Sequence, residues 1–433
     1  MKIIISNTVI LNGGDAAILD SIIKILQSAF GTETEFVVYD SQPETASIYY
    51  PELNLRQLIY LQSINSIRIR YVGRIIKLLA QWRLKVAAWC LDKNLLAIAK
   101  PLTSETEYAT LLDYKTADLI VTTGGTYLVE NYSLKPRFFD FQLALMLHKP
   151  LMFFTQSLGP FEQPENRRTL AKVFDQSPLI LLRDRRSQTH IKELLSEQDK
   201  AVVVADAAFA LANSEVLEAA KNKNKQGDFA PAKIAISVRD WQYFQTIDPE
   251  LGIKKYIQSL VALTIHLVAK YQADITYISS CQGIKEYWKD DSEFALKIVQ
   301  HLPDNISDRV TVNRDFNPPE KIAQIISDYD LVIATRLHMA ILSLGAGVPV
   351  FPIAYEFKTQ ELFAKLGCGK WTVDIEAIEA ASLIEKVDDY IAAVPQIRAQ
   401  LFAGIQEERA SAWESSDLVQ QAYKKWQESK DDL

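Results

Sequence analysis

The sequence predicts two α/β domains, each built on a doubly wound parallel sheet, that face each other across a cleft. Short apolar segments of strand length alternate with longer amphipathic segments of helix length. This alternation stops once, in a polar and lysine-rich stretch, and then restarts. A chain of 433 residues also exceeds the size of one ordinary hydrophobic core.

The interruption sets the predicted boundaries. We expect an N-terminal domain over residues 1–212, a linker over 213–232 and a C-terminal domain over 233–407. The remaining segment, 408–433, is predicted to form a charged helix over about 408–429. Because this helix carries three aromatic residues, we expect it to pack back on the body; they are Trp413, Tyr423 and Trp426.

In the N-terminal domain, apolar runs predict strands that alternate with helices. The sequence Asn12-Gly13-Gly14-Asp15 lies between the first strand and the first helix, and it is typical of a turn that caps a helix. The expected strands are 2–10, 35–39, 119–122, 150–155, 179–183 and 201–205, and the expected helices are 16–30, 138–148 and 187–195.

In the C-terminal domain, one buried strand ends in Thr335-Arg336-Leu337-His338. An open parallel sheet binds ligands at the carboxyl ends of its strands, beside helix N-termini. We therefore expect Arg336 and His338 at an anion site, because arginine binds phosphate or carboxylate bidentately and histidine transfers protons near neutral pH. The expected strands are 234–238, 275–279, 310–312, 331–334 and one from 348, and the expected helices are 256–271, 320–327 and 339–344.

Composition excludes several classes of protein. A net charge of -7 argues against general nucleic-acid binding. The three cysteines, Cys90, Cys281 and Cys368, have no zinc or CxxC spacing, which indicates a reducing compartment. The first residues are too quickly polar for a signal peptide, and no run of apolar residues is long enough to span a bilayer. We expect a cytoplasmic protein with no bound metal and no cofactor.

One segment, residues 56–100, is strongly basic. It holds nine basic residues and a single acid, Asp92, with Trp82, Trp89 and aliphatic residues between them. Two interpretations stay open. The segment forms an amphipathic helix that docks on an anionic membrane surface or a partner, which would place the protein peripherally at the inner face of the membrane. Alternatively, it is a helical insertion whose apolar face covers the N-terminal domain.

Several short motifs recur at predicted strand ends. They are Asn12-Gly-Gly-Asp15-Ala, Thr123-Gly-Gly125, Gln156-Ser-Leu-Gly-Pro160, Arg183-Asp184 followed by Ser187, Asp206-Ala-Ala-Phe209, Ser237-Val-Arg239 and Thr335-Arg-Leu-His338. In this set and order the chain resembles the polysaccharide pyruvyl transferases, except in segment 56–100. The resemblance implies two Rossmann-like domains similar to GT-B glycosyltransferases. It also implies transfer of a pyruvyl group from phosphoenolpyruvate, the co-substrate, to a sugar, usually as a ketal.

Phosphoenolpyruvate carries a phosphate and a carboxylate, so it requires at least two cationic contacts. Arg336 and Arg239 are the candidates, His338 would hydrogen-bond the phosphate bridge or donate a proton, and Asp15 is the candidate base. The other candidate substrate-binding residues are Arg183, Asn12, Gly13, Gly124, Gly125, Gln156 and Lys358.

Each candidate also has a structural interpretation. Arg336 could form an interdomain salt bridge, Arg183 could pair with Asp184, and Asn12 could only cap a helix. Gly124-Gly125 could approach a ligand or a neighbouring helix, Lys358 and Glu356 could lie in a solvated loop, and Trp241 could stack on a sugar or belong to the core.

Two other functions compete with pyruvyl transfer to a saccharide, free or lipid-linked. One is a GT-B glycosyltransferase with a nucleotide-sugar donor, but no base pocket or ribose-binding carboxylate is evident after Gly345–Pro349. The other is a non-catalytic scaffold for polysaccharide assembly, which the intact Arg239, Arg336 and His338 disfavour.

Overall fold

The computed structural model describes residues 1–65, 73–223 and 229–431. The chain divides into two compact units: unit 1 contains residues 1–10, 18–207 and the chain from 411 onward, and unit 2 contains residues 11–17 and 208–410. Residues 11–17 thus group with unit 2 and not with the N-terminal residues. Part of the predicted linker, Ser214–Asn222, is a helix of unit 2, and residues 224–228 of that linker lie outside the described residues.

Unit 1 is built on an eight-stranded sheet whose pairings are all parallel. The spatial order is β3-β2-β1-β4-β6-β7-β8, with β5 beside β6, so the direction of the order reverses between β1 and β4. The strands are β1 (Lys2–Thr8), β2 (Glu35–Asp40), β3 (Leu55–Gln57), β4 (Leu119–Thr122), β5 (Gly125–Leu128), β6 (Leu151–Leu158), β7 (Ile180–Leu182) and β8 (Ala201–Val203).

Three helices of unit 1, α2, α6 and α8, and two of its strands, β3 and β5, were not predicted from the sequence. The start of α6 carries a capping box that could have revealed it: Ser104 Oγ accepts from the Glu107 N–H, and the Glu107 carboxylate accepts from the Ser104 N–H. The helices are α1 (Gly13–Phe30), α2 (Pro43–Tyr49), α3 (Ile59–Asn65), α4 (Gly73–Asp92), α5 (Leu96–Ala99), α6 (Glu105–Thr116), α7 (Lys135–Met146), α8 (Pro164–Gln176) and α9 (Arg185–Ile191).

The basic segment 56–100 is not a single helix. It begins inside β3, which extends the sheet, and continues into α3, α4 and α5, while residues 66–72, with Arg68 and Arg70, lie outside the described residues. One side of α4 is buried in the core of unit 1 through Leu84, Ala88 and Leu91. The interpretation as a helical insertion that covers the core therefore holds for α4.

Unit 2 has a six-stranded parallel sheet in the order β11-β10-β9-β12-β13-β14. This is the 3-2-1-4-5-6 order of dinucleotide-binding sheets, and it reverses between β9 and β12. The strands are β9 (Lys233–Ser237), β10 (Asp274–Tyr277), β11 (Val310–Val312), β12 (Leu331–Ala334), β13 (Val350–Ala354) and β14 (Val373–Asp374). The helices are α10 (Ser214–Asn222), α11 (Pro249–Tyr271), α12 (Asp291–Val299), α13 (Pro319–Ile326), α14 (Leu337–Gly345) and α15 (Phe357–Lys365).

The last helix, α16, is much longer than predicted. It runs over Ala380–Asp431, and the predicted helix at about 408–429 is only its final part. Its residues up to 410 belong to unit 2 and the rest to unit 1, where Tyr423 packs edge-on against Phe30 with ring centroids 5.5 Å apart. Among the residues that the structure describes, no helix combines the length and the apolar character needed to cross a bilayer.

Candidate functional site

Two arginines mark the reversal point of the unit 2 sheet. Ser237 on β9 pairs with Ala334 on β12, and the Thr335 N–H donates to the Ser237 carbonyl at 2.9 Å. Arg239 and Arg336 each follow these paired residues by two positions. Both therefore lie at the carboxyl edge of the sheet, at the point where open α/β sheets bind their ligands.

A buried tyrosine joins the two strand ends. The hydroxyl of Tyr256, on α11, lies 2.7 Å from Thr335 Oγ1 and accepts a hydrogen bond from the backbone N–H of Arg239. Burial raises the pKa of this phenol well above its ordinary value, so it stays protonated. The position of Arg239 relative to β12 is therefore held by a neutral, fully buried hydrogen-bonded group.

The side chain of Arg336 is bound to a carboxylate of its own unit. Its Nε donates to Asp291 Oδ2 at 2.7 Å and its Nη2 donates to Asp291 Oδ1 at 2.8 Å. Ser279 Oγ also donates to Asp291 Oδ2, at 2.8 Å. The salt-bridge interpretation of Arg336 thus applies, but the bridge lies within unit 2 and is not interdomain. Burial lowers the pKa of this guanidinium, but the charge and hydrogen bonds of Asp291, together with Cys281 and Tyr355, raise it by more, so the net shift is upward.

Arg239 is held by aromatic rings. Its guanidinium carbon lies 3.9 Å from the ring centroid of Tyr355 and 5.0 Å from that of Trp241. Within the described parts of the chain it forms no ion pair, and it is only partly buried. The cation–π contacts fix the guanidinium plane without neutralising its charge. Arg239 therefore offers more uncompensated positive charge to an anion than Arg336 does.

The Asn12–Asp15 turn packs against the Arg-Leu-His segment. Asn12 Oδ1 accepts from the Gly14 N–H at 3.1 Å, which confirms the predicted cap at the start of α1. A Cβ added to Gly14 would come within 2.5 Å of His338 Nδ1, and one added to Gly13 within 1.8 Å of the Ser280 carbonyl oxygen. Both glycines are therefore required for close packing, and His338 rests directly on the backbone of this turn.

The thiol of the buried Cys281 is affected by several charges of this site. Burial raises the pKa of Cys281 to about 12, and the charges of four candidate-site residues also act on this thiol. They are Arg336, Asp291, Asp15 and Arg239. The structure thus brings the predicted residues Asp15, Arg239, Arg336 and His338 together within unit 2.

Two buried polar atoms at this site have no hydrogen-bond partner among the described residues. They are Ser280 Oγ, next to Gly13, and Trp241 Nε1, next to Arg239. Such atoms cost free energy unless water or a ligand satisfies them. Lys358 lies in the first turn of α15 with its side chain 9% exposed, 3.3 Å from Glu356, so the solvated-loop interpretation of Lys358 was wrong.

The candidates of unit 1 are held by hydrogen bonds within that unit. Arg183 donates to Asp206 Oδ2 at 2.5 Å, to Ser157 Oγ at 2.9 Å and to Thr126 Oγ1 at 2.8 Å. The predicted partner Asp184 instead caps α9 by accepting from the Ser187 N–H. Arg183 therefore has a structural role that ties the ends of β6, β7 and β8 together.

Close packing explains why glycine occupies positions 124 and 125 in unit 1. A Cβ on Gly124 would lie 2.8 Å from Thr155 Oγ1 and 2.9 Å from Ile18 Cγ2, and Gly125 has a φ of 119°. Gln156 is fully buried and its Nε2 donates to the Thr123 carbonyl and, at 2.6 Å, to the Tyr127 hydroxyl. These contacts position the loop after β4.

Three residues of the unit 2 site were not among the site residues predicted from the sequence. They are Asp291, Tyr256 and Tyr355. Asp291 starts α12 and lies 45 positions before Arg336, and no local spacing links the two. Tyr355 follows β13 directly, so the strand-end rule that selected Arg239 could have selected it too.

Solved structures with similar folds support the predicted fold class. The UDP-GlcNAc 2-epimerase from Neisseria meningitidis bound to UDP-GlcNAc is 12% identical and superposes with a TM-score of 0.55, covering 97% of this chain and 99% of that one. The UDP-GlcNAc 2-epimerase from Methanocaldococcus jannaschii is 13% identical with a TM-score of 0.52, covering 94% and 97%. At this identity the likeness concerns fold alone, and it confirms a GT-B-like α/β protein with parallel sheets.

Comparison with known sequences identifies the protein family, which the similarity of folds does not. The amylovoran biosynthesis protein AmsJ from Erwinia amylovora is 26% identical over 417 residues, which cover 94% of this chain and 96% of AmsJ. A family model described as polysaccharide pyruvyl transferase matches residues 12–356, a span that runs from the Asn12 cap through the Arg-Leu-His strand end to Glu356. The chain belongs to the polysaccharide pyruvyl transferase family.

Proposed function

We propose that this protein transfers the pyruvyl group of phosphoenolpyruvate to two hydroxyls of a saccharide and forms a pyruvate ketal. Membership of a transferase family that acts on polysaccharides supports the saccharide acceptor. The similarity to AmsJ, which is named for amylovoran biosynthesis, supports a role in exopolysaccharide synthesis.

One observation supports the choice of donor: at the sheet reversal of unit 2, an arginine lies near a helix N-terminus. Arg239 is an unpaired cation there, among the residues described. The N-cap of α14 is Arg336, whose side chain makes no cap hydrogen bond, so it does not satisfy the first backbone N–H groups of the helix. A helix N-terminus beside an arginine suits phosphate and carboxylate groups.

The candidate residues of unit 2 would have the following roles in the reaction. Arg239 and the N-terminus of α14 bind the anionic groups of phosphoenolpyruvate, and Arg336, oriented by Asp291, contributes its remaining guanidinium donors. His338 hydrogen-bonds the bridging phosphate oxygen or delivers a proton. Asp15, in the first turn of α1, accepts a proton from a saccharide hydroxyl.

The reaction balances without a cofactor. A proton adds to the methylene carbon of phosphoenolpyruvate, and one sugar oxygen bonds to the adjacent carbon. The C–O bond to phosphate then breaks, and the second sugar oxygen closes the ketal. Two hydroxyl protons are released by the sugar: one balances the new methyl group and the other leaves with phosphate.

Ligand binding by calorimetry tests the donor. We expect phosphoenolpyruvate to bind the wild-type protein and UDP-sugars not to bind. Arg239→Gln should weaken phosphoenolpyruvate binding by roughly tenfold or more, since it removes a charged hydrogen-bond donor. Arg314→Gln is the matched control, because Arg314 is an exposed arginine of the same unit that pairs with Glu293. Binding of UDP-sugars without binding of phosphoenolpyruvate would favour a nucleotide-sugar glycosyltransferase instead.

A further inference from the structure

Unit 1 carries an apolar surface that no described part of the chain covers. It lies on α4 and α5, and we call it the α4–α5 surface. Trp82 is 66% exposed and Trp89 is 52% exposed. The other large apolar residues of this surface, all about half exposed or more, are Leu78, Leu79, Leu96 and Ile98.

This exposure is a property of one helix face and not of scattered residues. Leu78, Trp82 and Trp89 are separated by four and seven positions, so they follow each other along one side of α4. The opposite side is already buried through Leu84 and Leu91. Helix α4 thus has two apolar sides, of which its own core uses one, and contiguous exposed apolar surface of this kind marks a binding surface.

Positive charge surrounds the same surface. Between residues 77 and 100 the chain has five basic residues and one acid, in a protein whose net charge is -7. Arg83 pairs with Glu107 at 2.7 Å, so the charge available at the surface comes from the lysines. The acid, Asp92, already pairs with Lys93 at 3.0 Å. Lys85 lines a shallow depression together with Leu78, Leu79 and Trp82, and Lys77 and Lys100 are exposed.

We propose that the α4–α5 surface docks unit 1 on an anionic lipid bilayer. Tryptophan prefers the boundary between headgroups and acyl chains, and lysine can reach phosphate headgroups while its stem lies along apolar surface. A second copy of this chain suits the surface less well, because a two-fold contact would bring together two patches that both carry net positive charge. This surface lies apart in sequence from the unit 2 residues proposed for catalysis, and the inference goes beyond the proposed function.

Vesicle co-sedimentation of the full chain tests the proposal. Vesicles of phosphatidylcholine alone are compared with vesicles of phosphatidylcholine and phosphatidylglycerol in equal amounts. The wild-type protein should sediment with the anionic vesicles at low salt, should remain in the supernatant with the neutral ones, and should dissociate as salt increases.

Two variants and one control locate the contact. Trp82→Ser should weaken binding to anionic vesicles roughly tenfold or more, since it removes a large interfacial side chain. Lys77→Gln should weaken it roughly fivefold. Trp288→Ser is the matched control, because Trp288 is 72% exposed, has Lys289 4.6 Å from its ring centroid and lies in unit 2. It should bind as the wild-type protein does.

Three results would overturn the proposal. The first is recovery of the wild-type protein in the supernatant with anionic vesicles at low salt. The second is equal binding by Trp82→Ser and the wild-type protein when both show the same thermal unfolding. The third is a stable dimer in light scattering that Trp82→Ser dissociates, because the surface would then be an interface between two copies.

Discussion

Replacing Asp140 by asparagine should stabilise this protein, and by an amount that depends on pH. Asp140 lies on α7 and is 2% exposed, and neither carboxylate oxygen has a hydrogen-bond partner among the described residues. Burial raises the pKa of this carboxyl from 3.8 to about 7, although the charge of Arg137 acts in the opposite direction. The folded protein thus contains a buried acid that resists ionisation.

The size and sign follow from linkage. In the unfolded chain the carboxyl loses its proton near pH 4, whereas in the folded protein it keeps the proton until about pH 7. The free energy of unfolding therefore falls as pH rises through this interval and is constant above it. A pKa difference of about three units corresponds to about 4 kcal/mol. Asparagine does not titrate, so Asp140→Asn should be nearly neutral below pH 4 and stabilising by about 4 kcal/mol above pH 7.

Thermal unfolding at pH 5 and pH 8 measures this effect. The difference in melting temperature between Asp140→Asn and the wild-type protein should grow with pH and reach roughly 10 °C for a unit of this size. Asp199→Asn is the control, because Asp199 is an exposed aspartate of the same unit. A difference that is the same at both pH values, or a variant less stable at pH 8, would refute the reasoning.

Three substitutions test the unit 2 site, and removal of metal ions tests the donor. His338→Ala should reduce transfer by about 10²–10³-fold with an unchanged circular dichroism spectrum, and near wild-type turnover would show that His338 does not act in transfer. Arg336→Ala should lower the free energy of unfolding, measured in denaturant titrations, by about 3–5 kcal/mol, because it leaves Asp291 buried and unpaired. Gly14→Ala should reduce turnover, since its Cβ would lie 2.5 Å from His338 Nδ1; unchanged kcat would contradict this. Turnover should persist in EDTA, and a loss that magnesium restores would indicate a metal-dependent donor.

Buried parallel strands were the elements predicted most accurately. The predicted bounds of β4 and β12 match the structure, because strands covered on both faces are short, nearly continuous apolar runs that are easily recognised in a sequence. The bounds of the edge strand β11 also match, although Thr311 is exposed. Helix α8 was missed because only Leu170, Val173 and Phe174 of its residues are buried in an otherwise polar segment. These three residues lie on one helix face, but the polar residues around them make the segment resemble a solvated loop.

The length of α16 was also decided by tertiary packing. Its interior contains Pro395, which would ordinarily end a helix. The helix is nevertheless continuous over 52 residues, with Tyr390, Phe402 and Val419 each buried. Contacts with residues distant in sequence therefore outweigh local preference here.

The sequence by itself determined the fold class and the strand-end positions of Arg239, Arg336 and His338. Polar residues that directly follow buried parallel strands must lie at the carboxyl edge of the sheet, whatever the remaining chain does. Only the tertiary structure decided that Asp291 neutralises Arg336, that aromatic rings hold Arg239 and that Gly14 supports His338. These contacts join residues far apart in the chain, and their free energies depend on distance and burial in space, which spacing along the sequence does not encode.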